Sequence, residues 1–318
     1  MKIGRIGFYL WMLVLLPLTT YAELTGTVVY KHPYNSDEIW VTDIRDTRNA
    51  RLLFKHTNVI RDLSVQKNSR YIVIVSRNEN NPFKEDTYLI DTLRDKAILI
   101  QDRIDDITNI DISHGGDVVL TSRPGAGNIQ KRGIYLIRRS EIGKQDPRIT
   151  LLKEGSIPRV DWAPNGKEIA YDSVNGLFQI DVNTKKETRI SREGDYPAFS
   201  PDGKKLVYSY VNVATGNPQI DIISLDTLQP LITIDLIVHP IGFNWSPDGE
   251  YLIYTVHARQ LFEKEIPYRN IAIPINGGSP ERILDITNRG VEMFDWINPA
   301  YPVEPKNHLA TLWGKIKQ

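Results

Sequence analysis

The side chains able to do chemistry in this sequence are carboxylates, guanidinium groups and six histidines, because cysteine is absent. Asp102, Asp105 and Asp106 form the densest acidic group. Converging carboxylates can hold Ca²⁺, which takes about six to eight oxygen ligands. Asp62, Asp106, Asp195 and Glu292 stand at similar places in different repeats, where they would meet at one mouth of a central channel. Arg61, Arg159 and Arg289 occupy neighbouring positions and would neutralise them. We read this group as a solvated, self-paired ring, with Ca²⁺ as the alternative and no other cofactor expected. His32, His56, His114, His239, His257 and His308 include no pair at metal-ligand spacing. His239 opens an inner strand, so it joins the channel group as a hydrogen-bonding residue. The nucleophile and phosphate motifs fail. There is no Gly-x-Ser-x-Gly elbow and no His-Glu-x-x-His, and Pro124-Gly125-Ala126-Gly127-Asn128 lacks the Lys-Ser/Thr of a phosphate loop.

Repeats must position these residues. Phe199-Ser200-Pro201-Asp202-Gly203 returns as Trp245-Ser246-Pro247-Asp248-Gly249 and as Trp162-Ala163-Pro164-Asn165-Gly166. Each copy ends one strand, turns tightly and starts an apolar strand; Pro presets φ and Gly takes the positive φ that closes the turn. Weaker copies put the same column at 65, 112 and 296. The spacing is that of four-stranded propeller blades, about 40–45 residues plus loop insertions. The best copy predicts strands at 195–200, 204–211, 219–225 and 229–234. The first repeat reads as three strands (26–32, 38–44, 50–55) and the last as one inner strand (290–296). Joined, they close a ring of six blades, an all-β fold whose last blade comes from both chain ends. The column aromatics Trp162, Phe199, Trp245 and Trp296 are read as core between blades.

Loop lengths separate the two faces. Turns between first and second strands are tight. Connections between second and third strands are long at 78–85, 124–132, 212–218 and 258–267. Long variable loops on a rigid scaffold are where binding usually lives. They carry Phe83, Arg123, Arg132, Arg259, Phe262, Tyr268 and Arg269, and aromatics and Arg favour interface centres.

The chain ends add location. Lys2 and Arg5 precede an apolar run from Ile6 to Leu18, shorter than the ~20 residues that span a bilayer, and Thr20-Tyr21-Ala22 is a small-x-small cleavage site. Residues 1–22 therefore read as a signal peptide, 23–298 as the propeller, and 299–318 as a Pro-rich link with a short amphipathic helix. Charge is balanced, with 39 Lys and Arg against 39 Asp and Glu, so nothing resembles the basic footprint of a nucleic-acid binder. The mature chain is expected to carry no membrane span and to be monomeric.

On the Ser-Pro-Asp-Gly turns at 200–203 and 246–249 and the Ala-Pro-Asn-Gly turn at 163–166, the chain resembles the TolB-like six-bladed β-propellers. The resemblance covers essentially all of 24–298 and implies a periplasmic or secreted protein. We expect a non-catalytic scaffold that binds a protein or peptide. The alternatives are a carbohydrate- or small-ligand-binding propeller, or a lyase- or glycosidase-type enzyme with a channel-mouth site.

Overall fold

The structure is a computed structural model. It describes residues 24–298 apart from 33–34, 68–70, 79–80, 82–83, 92–93, 95, 124–129, 262–267, 277–281, 285–290 and 292–293. Its strands form six antiparallel sheets of four. From the channel outward, blade 1 starts at Ile60–Val65, blade 2 at Ile107–Ile112 and blade 3 at Val160–Trp162. Blades 4, 5 and 6 start at Asp195–Phe199, Gly242–Trp245 and Phe294–Ile297. The ring closes as the repeats predict. Phe294–Ile297 pairs with Thr27–Lys31, with Tyr30 opposite Phe294 and Thr27 opposite Ile297. Closure leaves no open end of the array to pair with another chain.

The turns show why the repeat is written as Ser-Pro-Asp-Gly. Ser200 Oγ donates to Asp202 Oδ1 (2.6 Å) and accepts from the Lys205 amide (2.9 Å), while the Lys204 amide donates to Asp202 (3.0 Å). Gly203 sits at φ 69° and donates to the Ser200 carbonyl. Ser246 and Asp248 repeat the arrangement around Gly249 at φ 74°. The turns also stack on one another. A Cβ on Gly203 would lie 3.6 Å from Pro164, and one on Gly249 3.7 Å from Pro201, each the proline of the preceding blade.

The core lies between blades. Val207, Ile220 and Ile222 of blade 4 pack with Trp245, Leu252 and Tyr254 of blade 5. The column aromatics are buried as the sequence predicts: Phe199 is 3% exposed, Trp162 and Trp296 4%, and Trp245 5%. Removing such a ring costs about 3–5 kcal/mol through lost burial and the cavity left behind.

Candidate functional site

Inner strands run from the face carrying the long loops toward the tight-turn face. At the loop-face end they wall a cavity of about 280 Å³ to which all six blades contribute. Asp62, Asn109, Asp111, Arg159, Asp161 and Asp295 line one side, and Tyr196, Pro197, Ala198, Ile241, Phe243 and Asn244 the other. Thr255 and His257 reach it from the second strand of blade 5. The cavity is therefore charged toward blades 1–3 and 6, and largely apolar or neutral toward blades 4 and 5.

The carboxylates have a defined task. An inner strand has no neighbour on its channel side, so its N–H groups there need acceptors. Asp295 of blade 6 accepts from the Val65 amide of blade 1 (2.5 Å). Asp111 of blade 2 accepts from Trp162 of blade 3, and Asp161 of blade 3 from Phe199 of blade 4, both at 2.7 Å. One tier nearer the loop face, Asp62 accepts from Ile110 and Asn109 from Val160, both at 2.9 Å. Each bond crosses to the next blade, so the side chains latch the ring together.

Desolvation within the ring raises all of these carboxyls. Asp62 is pushed up to about 7 and Asp295 to about 6; Asp111 and Asp161 are raised by burial, and Asp161 further by the Asp111 charge beside it. The hydrogen bonds oppose this without overcoming it.

Arg159 is held differently. Its amide donates to Asp172 Oδ1 (2.8 Å), and its guanidinium lies 4.8 Å from the Tyr196 ring centre. Tyr196 has φ 57° and donates its amide to the other Asp172 oxygen (3.3 Å). A bulky side chain at positive φ is a genuine outlier and costs about 1–3 kcal/mol. That strain sits in the cavity wall.

Of the channel group read from the sequence, Asp62 and Arg159 line the cavity. Asp106 and Asp195 are exposed, and neither they nor His239 line it. The strand that His239 was expected to open begins at Gly242. Glu292 lies outside the described residues, as do Phe83, Phe262 and the tail 299–318. Arg123, Arg132 and Arg259 are exposed near the long connections, with Tyr268 and Arg269 half-buried at the start of a blade 5 strand. The sequence reading missed Asp111, Asp161, Asp295, Asn109, Tyr196 and His257. A signal was present: Ser64, Asp111, Asp161, Ala198, Asn244 and Asp295 each immediately precede the repeat column. Among the described residues, no group of three or more His, Asp or Glu side chains is placed to hold a metal ion.

Ring, turns and channel define a six-bladed β-propeller of four-stranded blades. Among solved structures, the chain is similar to TolB from Acinetobacter baumannii, with TM-score 0.65 and 15% identity, over 85% of this chain and 66% of that one. It is also similar to a structure assigned to TolB from Agrobacterium tumefaciens, with TM-score 0.57 and 18% identity, over 82% and 88% of the two chains. The chain thus spans just under two thirds of the Acinetobacter protein. No protein-family model and no curated protein matches the sequence. Among the described residues, no helix is long and apolar enough to cross a membrane.

Proposed function

We propose that this chain is an exported, non-catalytic propeller that binds a protein or peptide at the channel mouth on its loop face. The observation that carries this reading is the cavity: all six blades wall it, and it lies at the end of the channel where the long connections emerge. Concave sites with a few convergent polar groups on a rigid frame are the common form of binding sites. A catalytic reading needs an acid and a base free to move protons. Here Asp62, Asp111, Asp161 and Asp295 are engaged with main-chain N–H groups, which favours a structural use of their charge. Export is supported by the leader-like residues 1–22 and by the likeness to TolB structures.

The test is capture of a partner from envelope extract, comparing charge reversals on the two faces. R123E/R259E on the loop face should reduce capture at least tenfold. K167E/K204E on the tight-turn face should leave it within twofold, since all four residues are exposed and reversal there spares the fold. Equal losses from both pairs, or loss from the tight-turn pair alone, would refute the reading.

A further inference from the structure

In blade 5, the bond from the Ser246 amide to the Tyr251 carbonyl (2.9 Å) fixes which way the inner strand points its N–H groups. With Trp245 opposite Leu252, Asn244 opposite Ile253 and Phe243 opposite Tyr254, the Asn244 amide faces the second strand. The amides of Phe243 and Trp245 face the channel, because antiparallel pairs alternate. The equivalent bonds from Gln66, Ser113, Ala163 and Ser200 set the same parity in blades 1 to 4.

In those four blades every channel-facing amide is met by a side-chain acceptor. Asp62 takes Leu63 and Ile110, Asp111 takes Ile112 and Trp162, and Asn109 takes Val160. Asp161 takes Phe199, and Asp295 takes Val65. The remaining position in blade 4 is Pro197, which has no N–H, and the preceding blade sets a donor, Arg159, before it rather than an acceptor. Blade 5 departs from the rule. Blade 4 offers it Tyr196 and Ala198, neither of which carries a side-chain carbonyl or carboxylate. Among the described residues, neither the Phe243 nor the Trp245 amide has an acceptor, and the Asn244 side chain makes no hydrogen bond. Phe243, Asn244, Tyr196 and Ala198 all line the cavity.

A pair of main-chain N–H groups that face a cavity with no acceptor from the chain is placed to take one that arrives from outside. The two donors are two residues apart on one strand, about 6.6–6.8 Å. Alternate carbonyls of an extended peptide have the same spacing. A neutral carbonyl also avoids the repulsion that a ligand carboxylate would meet from Asp161 and Asp295. We propose that the channel edge of the blade 5 inner strand binds the main chain of an extended peptide. Its alternate carbonyls accept from Phe243 and Trp245, in the space that Ala198 leaves where blades 2, 3 and 6 carry Asp111, Asp161 and Asp295. This rests on the peptide-binding reading above and names its main-chain anchor.

The probe is the uncharged capped peptide acetyl-Thr-Val-Thr-Val-Thr-amide, titrated into the isotope-labelled exported protein and followed by amide NMR. Saturable shifts are expected at the Phe243 and Trp245 amides and the Asn244 side chain, and not at Val65, Trp162 or Phe199. Ala198→Asn supplies the missing acceptor, as Asn109 does for Val160, and should weaken the peptide at least tenfold without lowering the melting temperature. Lys204→Glu, exposed on the opposite face, should leave affinity within twofold. Amide exchange of the free protein is the check that needs no variant: Phe243 and Trp245 should exchange faster than Trp162 and Phe199. Absent or evenly spread shifts, an A198N variant that binds normally, or equal exchange at the four amides would each overturn the proposal. Capture of a partner without these shifts would remove only this anchor. Shifts with no face-dependent capture would remove the functional reading and leave the anchor standing.

Discussion

Asp62, Asp111, Asp161 and Asp295 tie one blade to the next, and their environment makes that tie depend on pH. An unfolded carboxyl titrates near pH 4. Folded, Asp295 titrates near 6 and Asp62 near 7, with Asp111 and Asp161 also raised. Each holds its proton more tightly in the fold. Its stabilising contribution is therefore complete below about pH 4 and is lost as pH rises through 6 to 7 and beyond. Glu38 works the other way. Burial tends to raise it, but hydrogen bonds from Lys55, Trp40 and Asn35 hold it at about 2. Its contribution is present above about pH 4 and is lost as pH falls through 2. The melting temperature should therefore be higher at pH 5 than at pH 8. Asp161→Asn keeps an acceptor for Phe199 and removes one buried charge, so it should raise the pH 8 value by a few degrees and leave pH 5 nearly unchanged. A flat profile, or equal loss at both pH values in the variant, would contradict this account. These latches were legible in principle but not strand by strand. A polar residue alternating with apolar ones looks like any half-buried strand. Only alignment of six inner strands shows that the polar position recurs and faces one axis.

Strands and turns were far more legible. The best repeat predicts its four strands to within a residue of Asp195–Phe199, Lys205–Val211, Pro218–Ser224 and Pro230–Asp235. The turn chemistry is local, so sequence suffices for it. Gly203→Val and Gly249→Val should each lower the urea midpoint, by about 1–3 kcal/mol in stability, since a β-branched residue must then hold φ near 70°. A Cβ at either site meets only ordinary contacts, so the cost is conformational and not steric. Unchanged midpoints would mean that the positive φ is not required there. Bulges were not legible. Inner strands slip register at their starts, between Ile60 and Asp62, Ile107 and Asn109, and Asp195 and Ala198. Counting back from the repeat column therefore fails after three residues in blades 1 and 2 and after one in blade 4, and Asp106 and Asp195, beyond those slips, are exposed. A second set of bulges recurs between third and fourth strands in five blades. These bend the outer edges, a common defence of exposed strands.

At the scale of the whole molecule, closure by Phe294–Ile297 against Thr27–Lys31 turns six small sheets into one frame with two unlike faces. The turns at 163–166, 200–203 and 246–249 are alike because each does the same work. The loop face varies, and the uncapped amides of blade 5 open beneath it. Among the described residues, the three most exposed large apolar side chains, Val174, Val213 and Ile237, at 87%, 89% and 91% exposure, lie in loop-face connections. Such side chains are tolerated singly but mark contact surfaces when grouped on one side. The most direct test of the account is amide exchange over the whole chain, with and without a partner captured from envelope extract. The account predicts slower exchange at 172–176, 212–217 and 241–245, with no change in the turns at 163–166, 200–203 and 246–249. Protection confined to those turns would contradict it.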